Sequence, residues 1–144
     1  MTVPRTIIVA TDFSPHAEGA TRAALELAAR LDARVHLLHA YSVPVLGPGL
    51  TEEWYSAMTA ELESGALRGL DEALQRHKTA GVNVQGLIKR GDPRDAIVEA
   101  AEELGADLIV MGTHGRRGVA RALLGSVAEW VVRHASCPVL TVPL

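Results

Sequence analysis

A glycine-rich segment in the last third of the chain has the residue types that could hold a phosphate. The tetrapeptide Gly112–Gly115 is separated by nine residues from the pair Gly125-Ser126. Glycine has no Cβ, so backbone N–H groups beside it can approach a ligand closely. We expect a helix to begin at Ser126, and the free N–H groups at a helix start favour an anion. The segment therefore predicts a phosphate-binding site.

Positive charge is concentrated in the same segment. Arg116, Arg117 and Arg121 lie there without an acidic neighbour, so this stretch carries +3 while the whole chain carries −3. Arginine donates strong hydrogen bonds to phosphate, and we expect at least one of the three to do so. A solvated face or a protein-docking patch is the alternative. The negative total and the aromatic content of 3% argue against a nucleic-acid partner.

The spacing differs from two common nucleotide motifs. A P-loop needs G-x-x-x-x-G-K-[ST], and no lysine follows Gly91. The dinucleotide motif G-x-G-x-x-G is absent after the first strand-like run, where the chain reads Ala10-Thr11-Asp12-Phe13-Ser14. G-x-x-G alone is a weak signal. On spacing alone, a glycine-rich loop followed by an ordinary serine N-cap explains the segment equally well.

Strand-like apolar runs alternate with segments of helical period, and these elements must position the site. The expected strands are Thr6–Ala10, Arg34–Ala40, Val82–Lys89, Asp107–Met111 and Pro138–Val142. Helices are expected to start at Ser14-Pro15, at Thr51 (running to about Ala80), at Asp92-Pro93 and at Ser126. Gly65 and Gly69 lie inside the second helix, where each costs about 1 kcal/mol relative to alanine, so we expect a bend or close packing there.

This alternation predicts one α/β domain over residues 1–144. Right-handed crossovers would build an open, mainly parallel five-stranded sheet with helices on both faces. If the strand order is 3-2-1-4-5, a ligand crevice lies beyond the carboxyl ends of the first and fourth strands. The residues that leave those strands are Thr11-Asp12 and Met111-Gly112.

Composition narrows the setting of the protein. The one cysteine, Cys137, excludes an intrachain disulfide, so we expect a reducing cytoplasm. No apolar run approaches the roughly 20 residues that span a bilayer, so we expect no membrane partner. The histidines and Cys137 show no metal-ligand spacing, so we do not expect a zinc site.

The C-terminal third strongly resembles the universal stress protein family. The resemblance rests on Gly112–Gly115, Gly125-Ser126 and the following segment 127–142, which reads VAEWVVRHASCPVLTV. Segments 7–14 (IIVATDFS) and 90–93 (RGDP) are also similar to the family. The pattern G-x-x-G-x9-G-[S/T] marks members that bind nucleotides. The resemblance implies a Rossmann-like fold of the adenine nucleotide alpha hydrolase type.

The resemblance also implies roles for individual residues. Asp12 would contact the ribose, and Ala10 and Ala40 would lie against the adenine. Ala40 stands where valine is common in the family, which predicts a looser adenine wall. A simple brace at the first helix is the alternative for Asp12. The full set of expected ATP-binding residues is Ala10, Thr11, Asp12, Ala40, Met111, Gly112, His114, Gly115, Arg116, Gly125, Ser126 and Val127.

The function that the resemblance favours is an ATP-binding regulatory or stress-response module with little or no turnover. ADP or AMP could replace ATP, and Mg²⁺ would accompany the nucleotide. The alternatives are a slow Mg-dependent ATPase, a nucleotide-free interaction protein and an FMN carrier, for which the loops offer only Phe13 and Tyr41. The resemblance and the strand-like end of the chain predict a homodimer through Val139–Val142.

Overall fold

The computed structural model describes residues 2–78, 81–114 and 124–144. Five strands alternate with four helices in this part of the chain. In chain order they are β1 (Thr6–Ala10), α1 (Pro15–Leu31), β2 (Arg34–Tyr41), α2 (Glu52–Arg76), β3 (Val84–Arg90), α3 (Pro93–Leu104), β4 (Leu108–Gly112), α4 (Ser126–His134) and β5 (Val139–Val142). All strand pairs are parallel, in the order β3-β2-β1-β4-β5. The predicted α/β fold and strand order are confirmed.

Helices cover both faces of the sheet, so the side chains of a strand, which point alternately to the two faces, are buried on both. Ile7 and Val9 of β1 pack with α1 and α2 on one face. Ile8, between them, packs with α3 and α4 on the other. All three are fully buried. This two-sided burial explains why β1 reads as a continuous apolar run rather than an alternating one.

The observed strands begin and end within two residues of their predicted bounds. The second helix is shorter than predicted: α2 ends at Arg76 rather than near Ala80. At His77 the backbone leaves helical geometry, and the imidazole turns onto Glu18 of α1. Residues 79 and 80 lie outside the described residues. None of the helices in the described ranges is long and apolar enough to cross a bilayer.

The carboxylate of Glu18 joins α1 to the end of α2. Arg76 donates a hydrogen bond to Glu18 Oε1 at 2.7 Å, and Nε2 of His77 contacts Glu18 Oε2. Burial alone would raise the pKa of Glu18. The hydrogen bonds and charges of Arg76 and His77 outweigh burial and hold this pKa below its ordinary value of 4.5. The contact therefore stabilises the fold while Glu18 is ionised.

We predict that Glu18→Gln lowers the free energy of unfolding at pH 7 by about 1 kcal/mol, because glutamine offers no charge to Arg76. A carboxyl with a lowered folded-state pKa stabilises the protein above its unfolded pKa and loses that effect as the pH falls through the folded value. The difference between the two proteins should therefore shrink below pH 4.5. Urea unfolding at a series of pH values measures it.

Glu26→Gln is the matched control on the same helix. Glu26 pairs with Arg30 at 2.8 Å, but the two side chains are 67% and 75% exposed. Exposed pairs of this kind contribute about 0.5 kcal/mol or less, so little change is expected at any pH. An effect of Glu18→Gln that stays constant down to acid pH would contradict the assignment.

Candidate functional site

A cavity of about 310 Å³ lies beyond the carboxyl ends of β1 and β4. From this pair of neighbouring strands the chain turns onto opposite faces of the sheet, which is where open α/β sheets bind ligands. The wall is formed by Ala10, Thr11, Asp12, Ala17, Leu38, Ala40, Pro93, Ile97, Met111, Gly112, Thr113, His114, Gly125, Ser126, Val127 and Ala128.

The structure brings together ten of the twelve residues predicted from the sequence. The other two, Gly115 and Arg116, lie outside the described residues, as do Arg117 and Arg121. The sequence prediction missed six residues of the wall: Ala17, Leu38, Pro93, Ile97, Thr113 and Ala128. Leu38 could have been found from Ala40, because residues two apart on a strand share a face.

The side of the cavity formed by β1, β2 and α3 is apolar. Leu38 and Ala40 come from β2, Ala10 ends β1, and Ile97 faces the sheet from α3. Leu38 and Ile97 are buried in the core of this face. The side chain of Ala40 is a single methyl group, so it leaves room between β2 and α3. This side fits a flat apolar group such as a nucleobase.

The opposite side of the cavity is polar because α4 begins there. Ser14, Thr51 and Asp92 cap the other three helices by accepting a hydrogen bond from a backbone N–H. The residue before α4 is Gly125, which provides no side-chain cap. Among the described residues, the first N–H groups of α4 therefore have no side-chain cap, and the residues of this first turn, Ser126 to Ala128, line the cavity. An anion would satisfy these N–H groups.

Gly125 fits closely against the end of β4. Its N–H donates to the carbonyl of Thr113 at 2.6 Å. A Cβ at this position would lie 3.1 Å from that carbonyl oxygen and 3.3 Å from Cα of His114. Glycine thus allows the start of α4 to lie directly on the segment that follows β4.

Two imidazoles lie near this polar side. His114 is part of the cavity wall, and its ring centroid is 5.6 Å from that of His16 on α1. Nδ1 of His16 is buried and has no hydrogen-bond partner among the described residues. A buried nitrogen of this kind requires a partner, which an ordered water or a bound polar ligand would provide.

The structure gives Gly112 a packing role. A Cβ on Gly112 would lie 2.8 Å from Cβ of His16 and 3.1 Å from the backbone of the same residue. The missing side chain therefore lets α1 cross the end of β4. From the sequence alone, this glycine indicates only a close approach of a ligand.

Hydrogen bonds define the β1–α1 loop that carries Asp12. Thr11 N–H donates to the carbonyl of Leu38 at 2.8 Å, which ties the loop to β2. Phe13 N–H donates to Thr11 Oγ1, and Ser14 N–H donates to Asp12 Oδ1, each at 3.0 Å. Asp12 thus braces the start of α1, and the same residue lines the cavity. The two roles considered from the sequence are compatible.

Phe13 points away from the cavity. Its ring packs into the core between the sheet and the helices α1 and α2. Tyr41 is also not part of the cavity wall, so within the described ranges His114 supplies the one aromatic ring there. The two aromatic residues that the loops could offer to an isoalloxazine ring, Phe13 and Tyr41, therefore both lie outside the cavity wall. The geometry does not favour an FMN carrier.

The described residues contain no cluster of three or more histidine, cysteine, aspartate or glutamate side chains that could hold a metal ion. In that part of the chain, Asp12 is the one carboxylate in the cavity wall. Cys137 is half-buried and lies outside the wall. Burial raises the pKa of its thiol, and the nearby charge of Asp107 acts in the same direction. Cys137 is therefore a poor nucleophile.

Comparisons of the sequence and of the fold with known proteins all point to one family. The model of the universal stress protein family matches residues 4–143. A universal stress protein of Methanocaldococcus jannaschii is 38% identical over 141 residues, which cover 94% of this chain and 80% of that protein. A solved structure from the same family in Burkholderia pseudomallei is 35% identical and superposes with a TM-score of 0.78, covering 100% of this chain and 99% of that one.

A second solved structure is a universal stress protein in complex with cAMP. It is 32% identical to this chain, has a TM-score of 0.73, and the match covers 98% of both chains. The family model spans nearly the whole chain, and relatives above 30% identity match it almost from end to end. The chain therefore belongs to the universal stress protein family.

Proposed function

We propose that this chain binds ATP in the cavity at the carboxyl edge of the sheet and acts as a nucleotide-dependent regulatory module with little or no turnover. The observation that carries the proposal is the start of α4: its first turn lines a cavity with one apolar side, and no side chain of the described residues caps its N–H groups. A nucleotide has matching parts, an apolar base joined to an anion.

The base would lie between β2 and α3. Ala10 and Ala40 offer small side chains against one face of a purine, and Ile97 offers an apolar contact from α3. Asp12 lies in the wall between the apolar and polar sides, where its carboxylate would accept a hydrogen bond from a ribose hydroxyl. The cAMP complex of a 32% identical relative supports an adenine nucleotide as the ligand class.

The phosphates would lie at the start of α4. Backbone N–H groups of Ser126 and Val127, the hydroxyls of Thr113 and Ser126 and the imidazole of His114 are donors that the described wall provides near this helix start. Gly115 and Arg116, which lie outside the described residues, are proposed to extend this set. Together these groups could hold more than one phosphate, which favours ATP over AMP.

The described part of the wall contains few groups that could promote hydrolysis. Phosphoryl transfer depends on a positioned nucleophile and on metal ions held by side chains. Asp12 already accepts a hydrogen bond from Ser14 N–H, which fixes one of its oxygens. A slow ATPase remains the second candidate function because Asp12 lies in the wall, where it could reach a nucleotide-bound Mg²⁺ through water.

We also propose that two copies pair through β5, which forms one edge of the sheet. Ile109 N–H donates to the carbonyl of Pro138, and Thr113 N–H donates to the carbonyl of Val142. Because the groups of a strand alternate in direction, the N–H and C=O of Thr141 point to the outer edge. That edge could accept the same strand of a second chain.

We also propose that this protein acts in the cytoplasm. ATP is available there, and the reducing conditions keep a free thiol such as that of Cys137 reduced.

Ala40→Leu should weaken ATP binding at least tenfold, because the larger side chain occupies the space between β2 and α3 that the base requires. Isothermal titration calorimetry of the native chain and the variant measures the effect, with ADP, AMP and cAMP as further ligands. Ala60→Leu on the exposed surface of α2 is the matched control and should bind like the native chain. Failure of the native chain to bind any adenine nucleotide would refute the proposed function.

Phosphate release from ATP in the presence of Mg²⁺ should stay at the background rate. Asp12→Asn keeps the size of the side chain and removes its charge, so it tests whether this carboxylate promotes hydrolysis. A native rate well above background that is lost in Asp12→Asn would establish the slow ATPase instead.

Thr141→Pro should convert the dimer to a monomer in sedimentation velocity, since proline removes the N–H that points to the outer edge of β5. Thr141→Val keeps that N–H and a similar volume, so this control should remain dimeric. If the native chain sediments as a monomer, or if Thr141→Pro remains dimeric, the proposed interface is wrong.

A further inference from the structure

We infer that Phe13 and Gly69 are positioning residues for the nucleotide site: the ring of Phe13, seated against Gly69 of α2, sets the place of Asp12 in the cavity wall. The inference rests on the proposed function, because it concerns how Asp12 comes to face a ribose. Phe13 and Gly69 are both absent from the cavity wall. Their effect on a ligand would pass through the β1–α1 loop.

The backbone of Phe13 is in the left-handed region, with φ of 64°. A residue with a Cβ adopts this region only where its surroundings impose it. Here the imposed conformation turns the Phe13 ring to the α1/α2 side of the sheet, while Asp12, one residue earlier, lies in the cavity wall on the other side. The left-handed turn thus separates an anchor from a ligand-facing carboxylate.

Gly69 provides the space for that anchor. A Cβ on Gly69 would lie 2.7 Å from Cε2 and 2.9 Å from Cζ of Phe13. Both distances are far shorter than a van der Waals contact, so the ring reaches α2 only because residue 69 has no side chain. The close packing that we expected inside α2 thus occurs at Gly69 but not at Gly65, where a Cβ would lie 3.8 Å from the Arg68 guanidinium, an ordinary contact.

His39 of β2 limits how far the ring can retreat. The ring centroids of Phe13 and His39 are 4.3 Å apart. Nδ1 of His39 lies 2.8 Å from the carbonyl oxygen of Thr11, at hydrogen-bond distance. Moving the Phe13 ring would therefore disturb the His39 imidazole, which is hydrogen-bonded to the same loop. Asp12 follows Thr11 directly and would shift with it.

The inference predicts that a methyl group on Gly69 changes how the site recognises ribose. Gly69→Ala should push on Phe13 and move the Asp12 carboxylate, while Ala40 and the start of α4 keep their places. Loss of one hydrogen bond to a charged group corresponds to about a tenfold loss of affinity. The loss should therefore appear for ATP and be nearly absent for 2′,3′-dideoxy-ATP, which has no ribose hydroxyls.

Gly86→Ala is the matched control. Gly86 lies on β3, and a Cβ there would be 2.8 Å from Leu74 and 3.1 Å from Leu70, both on α2. This variant crowds the same helix without touching Phe13. It should keep the native preference for ATP over the dideoxy nucleotide, even if it lowers the melting temperature as much as Gly69→Ala does.

Titration calorimetry with ATP and 2′,3′-dideoxy-ATP decides between the outcomes. The native chain and Gly86→Ala should prefer ATP by about tenfold, and Gly69→Ala should bring the ratio near one. Phe13→Leu shortens the anchoring side chain and adds no atom at Gly69. It should lower the preference for ATP over the dideoxy nucleotide in the same way, and it replaces Gly69→Ala if that variant does not fold. A native ratio that persists in both variants, or is lost in Gly86→Ala as well, would overturn the inference while leaving nucleotide binding established.

A measurement without nucleotide separates this inference from the proposed function. In amide NMR spectra, Gly69→Ala should shift the signals of residues 11–14, and Gly86→Ala should leave them in place. Unchanged signals in Gly69→Ala would overturn the inference whether or not the chain binds ATP. Absence of ATP binding by the native chain, with the loop signals shifted as expected, would refute the proposed function alone.

Discussion

The parallel pairing of β1 with β4 at the centre of the sheet is the constraint on which the site depends. Ile8 pairs with Ile109 and Val9 with Val110, and all four side chains are fully buried. Because parallel strands end at the same edge, the residues that directly follow β1 and β4 must lie side by side. Asp12 follows β1, and Thr113 and His114, which follow β4, contact Gly125 before the start of α4. The cavity that these residues line therefore exists because two apolar strands that are distant in the chain are neighbours in the sheet.

This arrangement brings backbones so close together that glycine is needed at several contacts. Gly112 allows α1 to cross the end of β4 at His16, Gly125 allows α4 to start against Thr113, and Gly69 admits the ring of Phe13. A Cβ at any of the three positions would approach another group within 3.1 Å. The glycines thus determine the positions of the helix N-termini and of the loops. Those positions in turn determine which groups line the cavity. In this site packing and chemistry are set by the same residues.

The sequence was sufficient to predict the sheet, because apolar runs bounded by turns mark buried strands and alternating helices require crossovers. It also predicted ten residues of the cavity wall, largely through a family resemblance. Ile97 was missed because helical periodicity shows that a position is buried but not whether it meets the core or a cavity. The left-handed backbone of Phe13 left no trace in the sequence, because the residues that its ring contacts, Gly69 and His39, are 56 and 26 residues away.

The balance of groups in the wall bears on why such a site would hold a nucleotide rather than cleave it. The donors of the described wall are backbone N–H groups, hydroxyls and an imidazole, all of which would stabilise a phosphate where it lies. Cleavage requires stronger interaction with the transition state than with the bound nucleotide. Asp12, the carboxylate of the described wall, is held by Ser14 N–H in a turn that also begins α1. If ATP binds as proposed, its contact with Asp12 would couple occupancy of the site to the geometry of the α1 start, and a regulatory module requires such a coupling.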